Sequence, residues 1–303
     1  MASSRLIIFC GKGGVGKTTL SLAAGLRHAV EGHRVLVVSS HPLPELALAV
    51  SLEGLSARFP SASKNFFVIY IDPRDLIADL VRQYFPVPMM SDRILKSAIF
   101  MNLIEVAPGL KEFFFLGRLQ ELAERKNDDG TSGSLPGYDY LIWDAPATGH
   151  FLATLRSAKN FEVFLSGPLA TAGAQLHRFF SNPENIQLFP VTPLEEMAIA
   201  ETVETAQVMS GEFDIPCSAV LINSASPMCT ATPAEMALAE SLRDSSPAMR
   251  FAVERGWIER ERRAELAAVL PLPEVVIPRL THCANDLDLL ARLGERMDLS
   301  QFS

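Results

Sequence analysis

The stretch Gly11-Lys12-Gly13-Gly14-Val15-Gly16-Lys17-Thr18-Thr19 constrains this chain more than any other. Gly11, Gly16, Lys17 and Thr18 fit the spacing G-x-x-x-x-G-K-[ST]. The apolar run Leu6 to Cys10 before them reads as a strand, and Thr19 to Ala29 after them reads as a helix. Strand, glycine-rich turn and helix in that order make a phosphate-binding loop. Its glycines let backbone N–H groups curl around phosphate oxygens, and the helix N-terminus favours anions. In this reading Lys17 neutralises the β- and γ-phosphates of a nucleotide and the Thr18 hydroxyl ligates Mg²⁺, while Gly13, Gly14, Val15 and Thr19 complete the cradle.

Such a loop belongs in an α/β fold, and the rest of the chain agrees. Apolar runs bounded by turn residues recur at Leu6–Cys10, Arg34–Ser39, Phe66–Asp72, Tyr138–Asp144, Ile186–Val191, Cys217–Asn223 and Glu274–Pro278. Near-continuous runs of this kind suit parallel strands buried on both faces. Helical patterns lie between most of them, as in Glu195 to Met209. The alternation predicts a doubly wound, mostly parallel sheet with ligands at the carboxyl ends of its strands.

One connection is too long for a plain crossover. Residues 73–137 read as a helical insertion or cap on a single domain spanning 1–303. Its centre is apolar: Ile94, Leu95, Ile99, Phe100, Leu103 and Ile104, then Pro108-Gly109, then Phe113, Phe114, Phe115, Leu116, Leu119 and Leu122. This pattern predicts a helical hairpin broken at Pro108, packed on the body of the domain or presenting an apolar face to a partner. Asn127 to Gly137, rich in Asp, Gly and Ser, reads as a loop returning to the sheet.

Charge and cysteine content narrow the function classes. A net charge of −8 argues against a polyanion as main partner, so nucleic acid is not expected. Arg250 to Glu265 alternates arginine with glutamate and reads as a solvated helix face. The segment before the first strand is too short and too weakly apolar for a signal peptide, and no run approaches a membrane span, which predicts a cytoplasmic protein. Asp286 to Ser303 is an acidic helix candidate, unlike a basic amphipathic membrane anchor. Cys10, Cys217, Cys229 and Cys283 are far apart and form no C-x-x-C pair, so each reads as a small hydrophobe rather than a ligand.

Two further motifs carry a family resemblance. Lys12, one residue into the loop, is similar to the extra lysine of the deviant-Walker ATPases, a class that includes MinD, ParA, the nitrogenase iron protein and the ArsA-like ATPases. Tyr140-Leu141-Ile142-Trp143-Asp144 is an apolar strand ending in an acid suited to hold Mg²⁺ through its water shell. The segment Asp144-Ala145-Pro146-Ala147-Thr148-Gly149-His150 resembles the D-T-A-P-T-G-H of the ArsA-like anion-transporting ATPases and of their relatives that target tail-anchored membrane proteins. Tyr70-Ile71-Asp72-Pro73, Val220-Leu221-Ile222-Asn223 and Pro278-Arg279-Leu280 resemble other segments of that family. The resemblance implies a face-to-face dimer in which Lys12 reaches the partner's nucleotide, with Asn223 and the loop at Pro278 beside the base. His150 is, by the same resemblance, a second switch residue that either packs at the dimer face or takes part in catalysis.

This chain departs from the family pattern at the first switch. The family's S-T-D-P-A-H-S, whose aspartate orients the attacking water, is Ser39-Ser40-His41-Pro42-Leu43-Pro44-Glu45 here. Three outcomes stay open: Glu45 replaces that carboxylate, His41 does so as a neutral base, or hydrolysis is vestigial. The zinc-binding C-x-x-C of the targeting factors and a cysteine cluster suited to arsenite are both missing, and the stretch from Phe151 to Asn185 is shorter than in the targeting factors. The expectation is an ATPase with ATP and Mg²⁺ as cofactors, catalytic positions Lys12, His41, Glu45 and Asp144, and a homodimer or a heterodimer with a paralogue acting on a protein client. The alternatives are a hydrolysis-deficient nucleotide-binding scaffold and a positioning protein like MinD or ParA.

Overall fold

A computed structural model describes residues 5–42, 52–84, 87–97, 107, 109–125, 137–164 and 166–302. Glu45, Pro108 and nearly all of the loop expected from Asn127 to Gly137 lie outside the described residues. The strands are β1 (Arg5–Cys10), β2 (Val35–Ser39), β3 (Phe66–Tyr70), β4 (Tyr140–Asp144), β5 (Ile186–Thr192), β6 (Val220–Ala225) and β7 (Glu274–Pro278). They form one sheet in the order β3-β2-β4-β1-β5-β6-β7, parallel at every pairing. All seven runs expected from the sequence are strands. The sixth begins later than expected, because Pro216 cannot donate to a ladder and Cys217 makes only an isolated bridge to Leu188.

Both faces of the sheet are covered, which explains why the runs are continuous rather than alternating. Leu6, Ile8 and Cys10 of β1, with Leu141 and Trp143 of β4, belong to one core; Ile7, Phe9 and Ile142 belong to the other. Period-two alternation thus persists, but each face meets helices. The second core holds α1 (Lys17–Val30) and a C-terminal helix, Asp286–Arg296, whose Leu287, Leu290 and Leu293 are buried. Arg27 of α1 fastens this helix by donating to the carbonyls of Gly294 and Met297. The acidic C-terminal segment is therefore a packed element of the fold.

Within the insertion, the helix Leu110–Glu124 buries Phe113, Phe115, Leu116, Leu119 and Leu122 in the first core. For this half of the apolar stretch, packing on the domain is the correct reading. The other half falls largely on residues 98–106, outside the described residues. Phe113 stacks on Phe161 with ring centroids 4.3 Å apart and planes 13° from parallel. Phe113→Leu removes that stacking while keeping apolar volume, and is expected to cost about 1 kcal/mol in urea denaturation.

The charged segment lies on a helix, Pro247–Val269, and only part of it is solvated. Glu259 is buried, and Arg260 and Arg263 are bonded inward, to the Ala231 carbonyl and to Glu274 of β7. Val253, Gly256 and Leu266 share the buried face with Glu259. That stripe, readable from the sequence, would have placed Glu259 inside.

Candidate functional site

The carboxyl ends of β1, β2, β4, β5 and β6 converge on the loop at 11–16. Register does much of the positioning: Asp144 pairs with Phe9 on one side and Ser39 on the other. The last residue of β4 therefore stands between the loop and the segment carrying His41. Gly11 and Gly16 have φ of 137° and 96°, values that side chains rarely adopt. A Cβ on Gly11 would strike the Val191 carbonyl of β5, and one on Gly16 the Asn223 amide of β6. The two glycines let the chain turn tightly against neighbouring strand ends.

Lys17 is only 8% exposed, and its Nζ donates to the carbonyls of Gly11 and Lys12, each at 2.9 Å. Burial lowers the pKa of this ammonium, and the nearby Asp144 carboxylate works against the shift. The Thr18 hydroxyl donates to Asp144 Oδ2 at 2.6 Å. Asp144 is 6% exposed, and burial raises its pKa despite the Thr18 bond and the proximity of Lys17 and His41. Its Oδ1 is buried with no hydrogen-bond partner among the described residues. An unmet carboxylate oxygen beside a threonine hydroxyl at a phosphate loop fits the hard-oxygen donor set of Mg²⁺, which keeps most of its ligands as water and phosphate.

The switch segment is anchored next to this pair. Trp143 Nε1 donates to Ser40 Oγ at 2.7 Å, and the Ser40 hydroxyl donates to the Asp144 carbonyl at 3.3 Å. His41 follows directly, exposed, with its N–H donating to Ser39 Oγ at 3.3 Å. The structure thus brings Lys12, Gly13, Gly14, Val15, Lys17, Thr18, Thr19, His41 and Asp144 to one place. Asn223 joins them through a bond sequence reading did not anticipate: its Nδ2 donates to the Val15 carbonyl at 2.8 Å, so it buttresses the loop. Pro278 ends β7 beside Ala225. His150, exposed on the helix Thr148–Phe164, has its Nε2 3.5 Å from Glu112 of the inserted helix Leu110–Glu124.

Sequence reading missed the far wall of the site. Lys12, Gly13, Gly14 and Val15 line a cavity of about 300 Å³ together with Arg255, Glu259 and Arg279. No spacing rule links residue 12 to residue 255; the sheet order brings them together.

A parallel, doubly wound sheet with this loop at the end of a central strand, and an acid at the end of the next, is the fold of a P-loop NTPase. The family model described as anion-transporting ATPase matches residues 4–244, and the chain belongs to that family. Relatives include ATPase BagA of Mycobacterium tuberculosis, 25% identical over 237 residues that make up 74% of this chain and 66% of that protein. A putative arsenical pump-driving ATPase of Prosthecochloris vibrioformis is 29% identical over 55% of this chain and 41% of its own length. The arsenical pump-driving ATPase of Escherichia coli is 27% identical over 67% of this chain and 36% of its own length. The chain therefore spans less than two-thirds of the length of each of these relatives. No helix among the described residues is long and apolar enough to cross a membrane.

Proposed function

We propose that this chain binds ATP with Mg²⁺ at the loop, hydrolyses it slowly, and serves as a nucleotide-dependent dimeric switch for a protein partner in the cytoplasm. The observation that carries the reading is the Thr18–Asp144 pair with its unmet Oδ1, next to a lysine whose hydrogen bonds among the described residues go to loop carbonyls. Phosphate oxygens would replace those carbonyls as acceptors for Lys17, a stronger charge-assisted pairing. Thr18 and Asp144 would hold the metal, which supplies charge neutralisation at the phosphates. The insertion at 73–137 would carry the response, since Glu112 already touches His150 in the segment after Asp144. The dimer, homomeric or with a paralogue, rests on the resemblance of Lys12 to a lysine acting across an interface, comparable to an arginine finger.

The names of the relatives point to an arsenical cargo, but the thiols here favour a protein client. Soft thiolates are what arsenite needs. Cys10 and Cys217 are buried, and burial pushes both thiols up, Cys217 to about 12.

A second reading, nucleotide binding without efficient turnover, is favoured by His41, which brings no fixed negative charge to the position beside Asp144. ATP turnover and ATP-dependent dimerisation, measured together on wild type, Lys12→Ala and His41→Asp, separate the two. His41→Asp is expected to raise turnover about tenfold by restoring a water-orienting carboxylate. A wild type that binds ATP but shows no turnover, revived by His41→Asp, establishes the second reading. Turnover undiminished in Lys12→Ala removes the role assigned to Lys12.

A further inference from the structure

The cavity beside the loop has a feature that phosphate binding by the loop alone leaves unexplained. Glu259 is 5% exposed, and both its oxygens are engaged: Oε2 accepts from the Ser226 N–H and Oε1 from Arg255 Nε, each at 2.7 Å. Burying a carboxylate is costly unless it is paired and hydrogen-bonded, and here the pairing holds one edge of a guanidinium. Among the described residues, nothing accepts from the two terminal nitrogens of Arg255, although the side chain lines the cavity that Lys12, Gly13 and Gly14 also line. Arg279 lines the same space. Since Glu259 is committed, cations outnumber the carboxylates left over, and the glycine backbone adds N–H donors.

A planar fork fixed at one edge, with its remaining donors open to the cavity and to solvent, is suited to a tetrahedral or planar oxyanion. We propose that Arg255, oriented by Glu259, is a nucleotide-contacting residue that binds a phosphate of the ATP in its own loop or of the ATP held by a second copy. This rests on the reading that the loop binds ATP, and it adds to that reading a cation from the far end of the chain. Glu259 is a positioning residue, acting through Arg255.

Titration with ATP, competition by adenosine, and sedimentation with and without ATP test this on wild type, Arg255→Ala, Arg255→Lys and Lys17→Ala. Because Arg255→Ala strands the Glu259 carboxylate, the double variant Arg255→Gln/Glu259→Gln, which keeps the Ser226 bond without a buried charge, is measured beside it. Loss of one charge-assisted contact is expected to weaken the affected step about tenfold in Arg255→Ala and in the double variant, with Arg255→Lys between them and wild type. Weaker ATP binding at protein concentrations too low for association, with adenosine competition unchanged, places Arg255 on the nucleotide of its own loop. Normal ATP affinity with weakened ATP-driven association places it on the second copy's. The inference is overturned if folded Arg255→Ala and the double variant match wild type in both measurements, or if adenosine and ATP weaken together. Wild-type ATP affinity in Lys17→Ala would instead remove the nucleotide reading itself.

Discussion

Asp144→Asn is expected to cut Mg²⁺-dependent ATP turnover by roughly a hundred- to a thousandfold, since a correctly held metal contributes several kcal/mol of transition-state stabilisation. The same substitution is expected to raise the Tm of the nucleotide-free protein. Burial is the largest influence on Asp144 and raises its pKa from the ordinary value of an aspartate. A carboxyl whose folded pKa lies above its unfolded value holds its proton more tightly when folded. Its stabilising contribution is complete below the unfolded pKa and is lost as pH rises through the folded one. At neutral pH the ionised group therefore works against the fold. Asparagine preserves an acceptor for Thr18 and removes the charge, so Tm rises most where wild-type Asp144 is ionised and least at low pH. Lys17 has the opposite shift, a lowered pKa caused first by burial, so the charge on its ammonium also opposes folding, and this cost is relieved as pH rises through its folded pKa. Differential scanning fluorimetry across pH, with and without ATP and Mg²⁺, checks both halves. An Asp144→Asn variant that melts below wild type at neutral pH without nucleotide would falsify the assignment of a charge held at a cost for function.

The sheet was legible because its strands are buried on both faces, which turns each into a short apolar run closed by turn residues. Leu6–Cys10 and Tyr140–Asp144 need no tertiary information to be recognised, and the acid at the end of the second follows from its local pattern. What sequence could not supply was register. That Asp144 stands level with Ser39 depends on β4 lying between β1 and β2, although it follows both of them far along the chain. The bond from Trp143 to Ser40, and the clamp of Glu259 on Arg255 beside Lys12, are products of that order. Asn223 illustrates the same limit: the family resemblance implied a base contact, but the bond from its amide to the loop carbonyl at Val15 depends on how β6 stands beside the loop.

Gly16→Ala tests how strictly that backbone is held. Gly16 has φ of 96°, and a Cβ there would collide with the Asn223 amide nitrogen that donates to Val15. Two costs combine: a left-handed backbone, disfavoured for alanine, and a forced displacement of Asn223 from its bond. Together they are expected to cost about 2–3 kcal/mol in denaturant unfolding. ATP affinity should fall more than stability does, because the loop amides must converge on phosphate and a shift of the backbone misaims several at once. The double variant Gly16→Ala/Asn223→Ala separates the two causes. Removing the Asn223 side chain relieves the collision but not the backbone conformation, so a coupling between the two substitutions should return part of the lost stability. ATP binding should not return with it, since neither the φ of residue 16 nor the lost support at Val15 is restored. Recovery of ATP affinity in the double variant would show that the collision alone, and not the conformation that glycine permits, governs how the loop meets phosphate.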